Sequence, residues 1–585
     1  MRRKLSSLVL GVILALTVTV HGSGSNSGNP VADSIENNVS TKPSVQSQYT
    51  VFDFEKYGGE FTRASNPSKS PEIAKSGKDV ICVGVPEFDG IFNYIYSWNE
   101  YDWYACYTMF DFNIDIGFDG KTTPGATDYT VSRDGLTYTF KIKDGVKFWD
   151  GKPATAKDLE FAYYLIADPD YDGHLELKDA YIKGLNEYRY GQAKTIEGIK
   201  VIDDKTLQIT CEKLNAAALL SLRIPLIEKS YYSPDFKKGD TAVVKEKNGV
   251  PMGTGQYKFV GYKPGQELYM VANENYFKGA PGIKNLRFIV TPDDYQLHSI
   301  LTGRVDISIT DASVDNMNTA QEAGYIDIIK NPIKGYGYIG LNDANEKFKD
   351  TRVRQALMYA LDRKTVVKKV FGINANVINI PELIASWAYN DDGVNNYDFN
   401  LRKAAHLLDE AGWKLNKNGR REKNGKPFTI KFSCITPHFI TDIMIPIIKE
   451  NYAKLGIDVT VETLDWPTLY EMVAHKRLEA YFMASAFTPD PDDQAEVFKT
   501  GGSMNFFNYS NPTVDKLYDY GASKLTFEER KPIYKEIYKI LNEELPMLYI
   551  YQRSDMWAVN SRIKGIETSS FREPFFNLYK CEIDK

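Results

Sequence analysis

The stretch Asp134–Tyr163, DGLTYTFKIKDGVKFWDGKPATAKDLEFAY, decides how this chain is read. Tyr138, Phe140 and Ile142 alternate with Thr139, Lys141 and Lys143, the two-residue period of a half-buried strand. Asp144-Gly145 and Asp150-Gly151 are turn dipeptides. Thr155 suits a helix N-cap, and Asp158 three residues on suits a capping box. Leu159, Ala162, Tyr163 and Ile166 then share one helical face. The unit predicted is β-β-α, and none of its residues is arranged for chemistry.

Its worth is identification. The stretch closely resembles the signature region of the extracellular solute-binding proteins of family 5, the peptide/nickel/opine-type receptors of ABC importers, and is most similar to Gram-positive peptide-binding members. The resemblance runs in order from about Lys78 to near the C-terminus. Gly253–Lys258 (GTGQYK) resembles the family's GTGPYK turn, with Gln256 in place of Pro. Asn273–Gly279 (NENYFKG) resembles N-x-x-Y-W-x-G, with Phe277 for Trp. Phe348–Arg363 (FKDTRVRQALMYALDR), Lys403–Leu408 with Glu410-Ala411-Gly412, and Pro489-Asp490-Pro491-Asp492 follow. Each motif alone is moderately specific; six in order over most of the chain are highly specific.

That resemblance implies an α/β, two-lobed periplasmic-binding-protein-like fold with a hinge and an extra inserted domain. Carried over, lobe one takes 76–98, 228–329 and 557–585, the inserted domain 99–227 and lobe two 330–556. Local patterns point the same way. Val80–Val83 and Val85 read as a buried parallel strand. Gly335–Asn342 reads as an alternating strand, and Asp350 as the cap of a helix with Val353, Ala356, Leu357 and Ala360 on one face. Ile457, Val459 and Val461 suggest a strand, and helices are expected near Val514–Ala522 and Phe527–Asn542. Strands alternating with helices over a long chain indicate α/β lobes.

With 585 residues, 43% hydrophobic and 25% charged, the chain is of ordinary globular composition, long enough for two or three domains. A net charge of -6 gives no footprint for nucleic acid. Its 39 Tyr, 30 Phe and 7 Trp suit binding through a broad cleft. Residues 1–22 read as a signal peptide: Arg2, Arg3 and Lys4, then the apolar run Leu8–Val20. The chain is therefore expected outside the cytoplasmic membrane. Ser23 stands where Gram-positive relatives carry a lipobox cysteine, so a lipid anchor is not supported there. Residues 23–75, rich in Ser, Asn, Gly and Pro, read as a disordered tether, with the aromatic patch Tyr49–Phe61 able to dock. The five cysteines lack CxxC spacing and read as small apolar side chains rather than disulfides or zinc ligands.

The histidines are scattered without HExxH or His-x-His, and no GxSxG, Walker or GxGxxG motif occurs. Asp490, Asp492 and Asp493 lack EF-hand spacing, so helix capping by Asp492 or Asp493 is expected instead of calcium. No catalytic residue, metal or cofactor is expected. The resemblance implies capture of an oligopeptide or similar small ligand by a monomer, and delivery to ABC permease subunits. An oligosaccharide or other polar metabolite is the alternative cargo, and a secreted hydrolase a remoter reading. By position, the implied cleft residues are Trp466, Phe487, Asp490, Asn505, Tyr509, Tyr181, Tyr549 and Tyr551. The departure is Phe487. Relatives place an aspartate there to pair with a ligand α-ammonium, which phenylalanine cannot do; Asp490 is the candidate substitute.

Overall fold

The strand Val80–Val85 buries Ile81, Val83, Gly84 and Val85. It runs parallel to Asn285–Val290, with Ile81 opposite Leu286 and Val83 opposite Phe288. Burial on both faces explains its unbroken β-branched composition. The computed structural model describes residues 52–584. Around this strand, lobe one orders Tyr257–Lys263, Glu267–Ala272, Asn285–Val290, Val80–Val85 and Ile307–Asp311. Lobe two orders Asp458–Thr463, Thr429–Cys434, Ala480–Ala486 and Gly335–Leu341.

One long strand, Met547–Asn560, belongs to both. Its first half pairs antiparallel with Gly335–Leu341. Its second half pairs with Ile326–Pro332 and Ile307–Asp311. The chain therefore crosses between lobes twice, at Ile333-Lys334 and at Gln552-Arg553. The crossings are tied together: the Ile333 amide donates to the Arg553 carbonyl at 2.9 Å, and Gln552 Nε2 donates to the Ile333 carbonyl at 3.1 Å. Two strands with few cross-links bend more readily than a packed core, which is the construction of a hinge.

The opening stretch forms as its pattern predicts. Thr137–Ile142 is a strand in a separate antiparallel sheet with Thr127–Val131, Thr206–Thr210 and Ile199–Val201. Gly145 and Gly151 take φ of +83° and +94°, which only a residue without Cβ adopts cheaply. Ala156–Ala167 is a helix whose capping box is made by Thr155 and Asp158. Thr351–Ala360 is capped by Asp350, whose carboxylate accepts from the Arg352 amide at 3.0 Å.

Three expectations are corrected. Residues 52–75, placed in a disordered tether, are docked. Glu60–Thr62 adds a strand beside Ile328–Lys330, and Glu60 pairs with Lys330 at 2.8 Å. The Phe52 ring lies tilted 4.5 Å from Phe118, and Phe54 stacks 5.1 Å from Phe61. Aromatic burial supplies what the Ser/Asn/Gly composition lacks; positions 23–51, like the signal peptide, lie outside the described residues. Gly335–Leu341 does not alternate: all seven residues are buried, because it sits between two strands with cover on both faces. The turn after Pro489 is capped by Asp490, which accepts from the Asp492 amide at 3.0 Å, and not by Asp492 or Asp493. The five cysteines are unpaired thiols.

Candidate functional site

The crossings floor a cleft of about 290 Å³ between the lobes, near the lower end of the range for small-ligand pockets. Its first wall is the helix Glu100–Met109, started by Asn99, whose side chain accepts from the Tyr101 amide at 2.8 Å. Glu100, Trp103, Tyr104 and Tyr107 face the cleft. Their spacing of 3, 4 and 7 is one helical stripe. The opposite face, including Ala105, Cys106 and Met109, is buried in the core shared by lobe one and the small antiparallel sheet.

The floor comes from the shared strand. Tyr551, Arg553, Asp555 and Trp557 all line the cleft, as the two-residue period of a strand requires. Lobe two contributes Tyr336, Gly337, Ala484 and Phe487, and the C-terminal segment Ser569, Ser570 and Glu573. A Cβ on Gly337 would lie 2.2 Å from the Tyr551 ring, so glycine lets that ring lie flat on the strand.

Charge in the cleft is paired. Lys334 Nζ meets Glu573 at 2.9 Å; burial opposes the lysine's charge most, but Glu573, with Glu100 and Tyr94, together outweigh it and raise the pKa. Arg553 binds Asp555 directly, and burial pushes the Asp555 carboxyl above its ordinary range against the pull of Arg553. Glu100 has no cation in direct contact, and Lys334 acts on it only from a distance. It accepts from the Tyr104 hydroxyl at 2.8 Å, and burial raises its pKa too. Such an arrangement can hold a ligand with both polar and apolar surface by pre-placed charges and aromatic faces.

Of the eight positions expected to line the cleft, Phe487 and Tyr551 do so. Phe487 is 5% exposed, and its ring lies 4.9 Å from Tyr336. Trp466 lies outside the cleft wall: it starts the helix Trp466–Ala474 and packs half-buried against lobe two, 5.8 Å from Tyr470. Asp490 is not among the residues lining the cleft and is buried against Arg530 at 2.8 Å. Asn505 closes its own loop, donating to the Lys499 and Tyr509 carbonyls at 3.0 and 2.7 Å. Tyr509 is buried and donates to Glu544. Tyr549 is fully buried in lobe two. Tyr181 is not on the wall; it sits in a left-handed turn with Lys213 3.7 Å over its ring. The residues missed had a signal. Tyr551 continues by twos through Arg553 and Asp555 to Trp557, and Glu100, Trp103, Tyr104 and Tyr107 keep helical spacing.

Comparison with known proteins agrees with this architecture. The chain is 27% identical over 543 residues to the oligopeptide-binding protein AppA of Bacillus subtilis, covering 90% of this chain and 95% of that one. It is 27% identical over 464 residues to heme-binding protein A of Haemophilus influenzae, covering 76% and 81%. The solved structure of the Bacillus subtilis AppA with a nonapeptide superposes with a TM-score of 0.65 at 25% identity, covering 86% and 99%. The profile of the bacterial extracellular solute-binding proteins, family 5 (middle), matches residues 124–506, well over half of the chain. With two lobes on a doubled crossing, a cleft between them and that match, the chain belongs to the extracellular solute-binding proteins of family 5.

Proposed function

We propose that this protein is the exported receptor of an ABC importer, that it captures oligopeptides between its lobes without turning them over, and that its closed form is what the membrane permease recognises. The observation that carries the reading is the composition of the cleft wall. Aromatic faces from Trp103, Tyr107, Tyr551 and Trp557 alternate with charges of both signs from Lys334, Glu573, Arg553 and Asp555. A peptide offers the same mixture: termini of opposite sign, amides and variable apolar side chains. Aromatic faces accept varied side chains because dispersion contact does not demand identity. The relative AppA, whose solved complex contains a nonapeptide, supports the cargo class. Export rests on the basic and apolar N-terminal run. Among the described residues no helix is long and apolar enough to cross a membrane.

A polar metabolite such as an oligosaccharide is the second reading. Phe487, standing where an aspartate would hold a peptide α-ammonium, favours it. Thermal melts against a pool of short peptides and a pool of oligosaccharides separate the two. A ligand that binds only the folded, closed form adds about 2.7 kcal/mol at a hundred times its Kd. A saturable rise in Tm with peptides, and peptides recovered intact by mass spectrometry, are expected. A rise with sugars alone would reverse the order of the readings, and cleaved peptides would make the protein a hydrolase.

A further inference from the structure

Ser570 stands at the tip of a short turn in the C-terminal segment that lines the cleft. The turn is bonded shut behind it. The Ser569 amide donates to the Arg572 carbonyl at 2.9 Å, and the Arg572 amide to the Ser569 carbonyl at 3.2 Å. Thr568 Oγ1 donates to the Arg572 carbonyl at 2.8 Å, and Ser569 Oγ accepts from the Phe571 amide at 3.2 Å. Arg572 fastens the turn to the small domain through the Ile116 carbonyl at 2.6 Å and Asp115 at 2.8 Å. Among the hydrogen-bonding side chains of the turn, only Ser570 has no such duty. It lines the cleft, is 6% exposed, and its hydroxyl has no partner. A buried hydroxyl left unmet is costly, and a rigid turn that presents one to a cleft is arranged for a partner from outside. Asn331 Oδ1, the other buried unpartnered atom of a residue lining the cleft, lies against the docked N-terminal segment instead: a Cβ on Gly59 would come within 2.4 Å of it.

We propose that Ser570 is a specificity-determining contact of the cleft and takes an uncharged amide of the ligand, so that an internal stretch of peptide lies there with its charged ends outside. The proposal rests on the peptide reading above and says which part of a peptide is gripped. Its second ground is that the charges of the cleft are closed on one another. Lys334 is held by Glu573 and Arg553 by Asp555, and Glu100 is met by the Tyr104 hydroxyl. A peptide end brought against them finds no free counter-charge, and losing water without one is expensive. Phe487, on the facing lobe, supplies none. A main-chain amide has no net charge. A hydroxyl can donate to its carbonyl or accept from its N–H. The side chains on either side of that amide meet the aromatic faces of Trp103, Tyr107 and Phe487.

Titration calorimetry on the mature chain compares hexa-alanine with the same peptide acetylated at its N-terminus and amidated at its C-terminus. Capping is expected to change Kd by less than about threefold. Ser570→Ala is expected to weaken the free and the capped peptide alike, by about fivefold, the share of one hydrogen bond. The empty Ser570→Ala protein is expected to keep its Tm or to gain, since no bond within the protein is lost; a serine that served only the fold would lower it. A capped peptide that binds about tenfold or more weaker than the free one would mean that a carboxylate such as Glu100 holds an end, and would overturn the proposal. So would a Kd unchanged by Ser570→Ala, or a weaker Kd that comes with a lower Tm. In each of these cases the wild-type protein still binds, and the peptide reading stands. No binding by either peptide would remove both.

Discussion

Arg530 governs the loop that position alone assigned to the ligand. Its guanidinium is buried, reaches Asp490 at 2.8 Å and Asp492 at 3.2 Å, and donates to the Tyr534 hydroxyl at 2.7 Å. Burial is the largest single influence and opposes its charge, but Asp490, Tyr534 and Asp492 together outweigh it and lift its pKa. Asp492, pressed by burial and by Asp490, is itself shifted upward. Arg530→Met would leave both carboxylates buried without their counter-charge, which costs about 3–5 kcal/mol. The expected outcome is a large fall in the urea midpoint with an unchanged slope. Asp490→Asn should cost less, since it removes a charge rather than stranding one, and should leave ligand Kd within about twofold. A ligand-affinity loss from Asp490→Asn without any stability loss would return Asp490 to the binding site. Spacing could not have shown this, because Arg530 lies forty residues further along the chain.

The helix Ala156–Ala167 is held at its start by a carboxylate with three duties. Asp158 accepts from the Thr155 amide at 2.9 Å, from the Thr155 hydroxyl at 2.6 Å, and from the Lys229 amide, seventy-one residues away, at 2.9 Å. Thr155→Ala removes one side of the box and should cost about 1 kcal/mol. Asp158→Ala also leaves the Lys229 amide unmet in a mostly buried place, and should cost about 2–3 kcal/mol. Denaturant titration of the two variants checks the order; equal losses would mean that the bond to Lys229 contributes nothing. This unit was legible because strand period, turn glycines and cap all act within a short stretch. The helix Glu100–Met109 was not read as a site for the opposite reason. Tyr101, Ala105, Cys106 and Met109 are buried on one side while Trp103 and Tyr107 line the cleft on another. With aromatic or apolar residues all round, no polar face marks which side meets a ligand. Gly335–Leu341 hid its role likewise, being buried throughout. The division into lobes was legible only through resemblance, since no local pattern announces that Met547–Asn560 serves two sheets.

At the scale of the whole molecule, contacts outside the crossings also join the small domain to lobe two, where Ile116 and Leu220 pack with the lobe-two core. The Ala216 amide, on the small domain's side, donates to the Ala522 carbonyl of lobe two at 2.8 Å. Beside it a Cβ on Gly135 would lie 2.6 Å from Leu214 and 2.7 Å from Leu525, so these leucines from opposite sides share one glycine surface. Lys121 lies 5.5 Å from the centre of the Phe527 ring. Hinge closure across such a seam would draw the remaining closing energy from a ligand in the cleft. The apparent Kd then equals the intrinsic Kd divided by the closed fraction of the empty protein. Leu525 is 48% exposed, so its own lobe does not depend on it. Leu525→Asp puts a charge against Leu214 and disfavours only the closed form. A penalty of about 1.4 kcal/mol on closure weakens ligand binding by about tenfold if the wild-type protein is mostly open when empty, because closure is then part of binding. If the empty protein is mostly closed, Kd weakens by less, and the penalty shows instead as opening of the empty protein. The empty Leu525→Asp protein should keep its Tm and show a larger radius of gyration by small-angle X-ray scattering, with ligand restoring the compact value at higher concentration. Unchanged Kd and radius would show that the seam between the small domain and lobe two carries no part of closure, leaving the crossings and the ligand alone to set it.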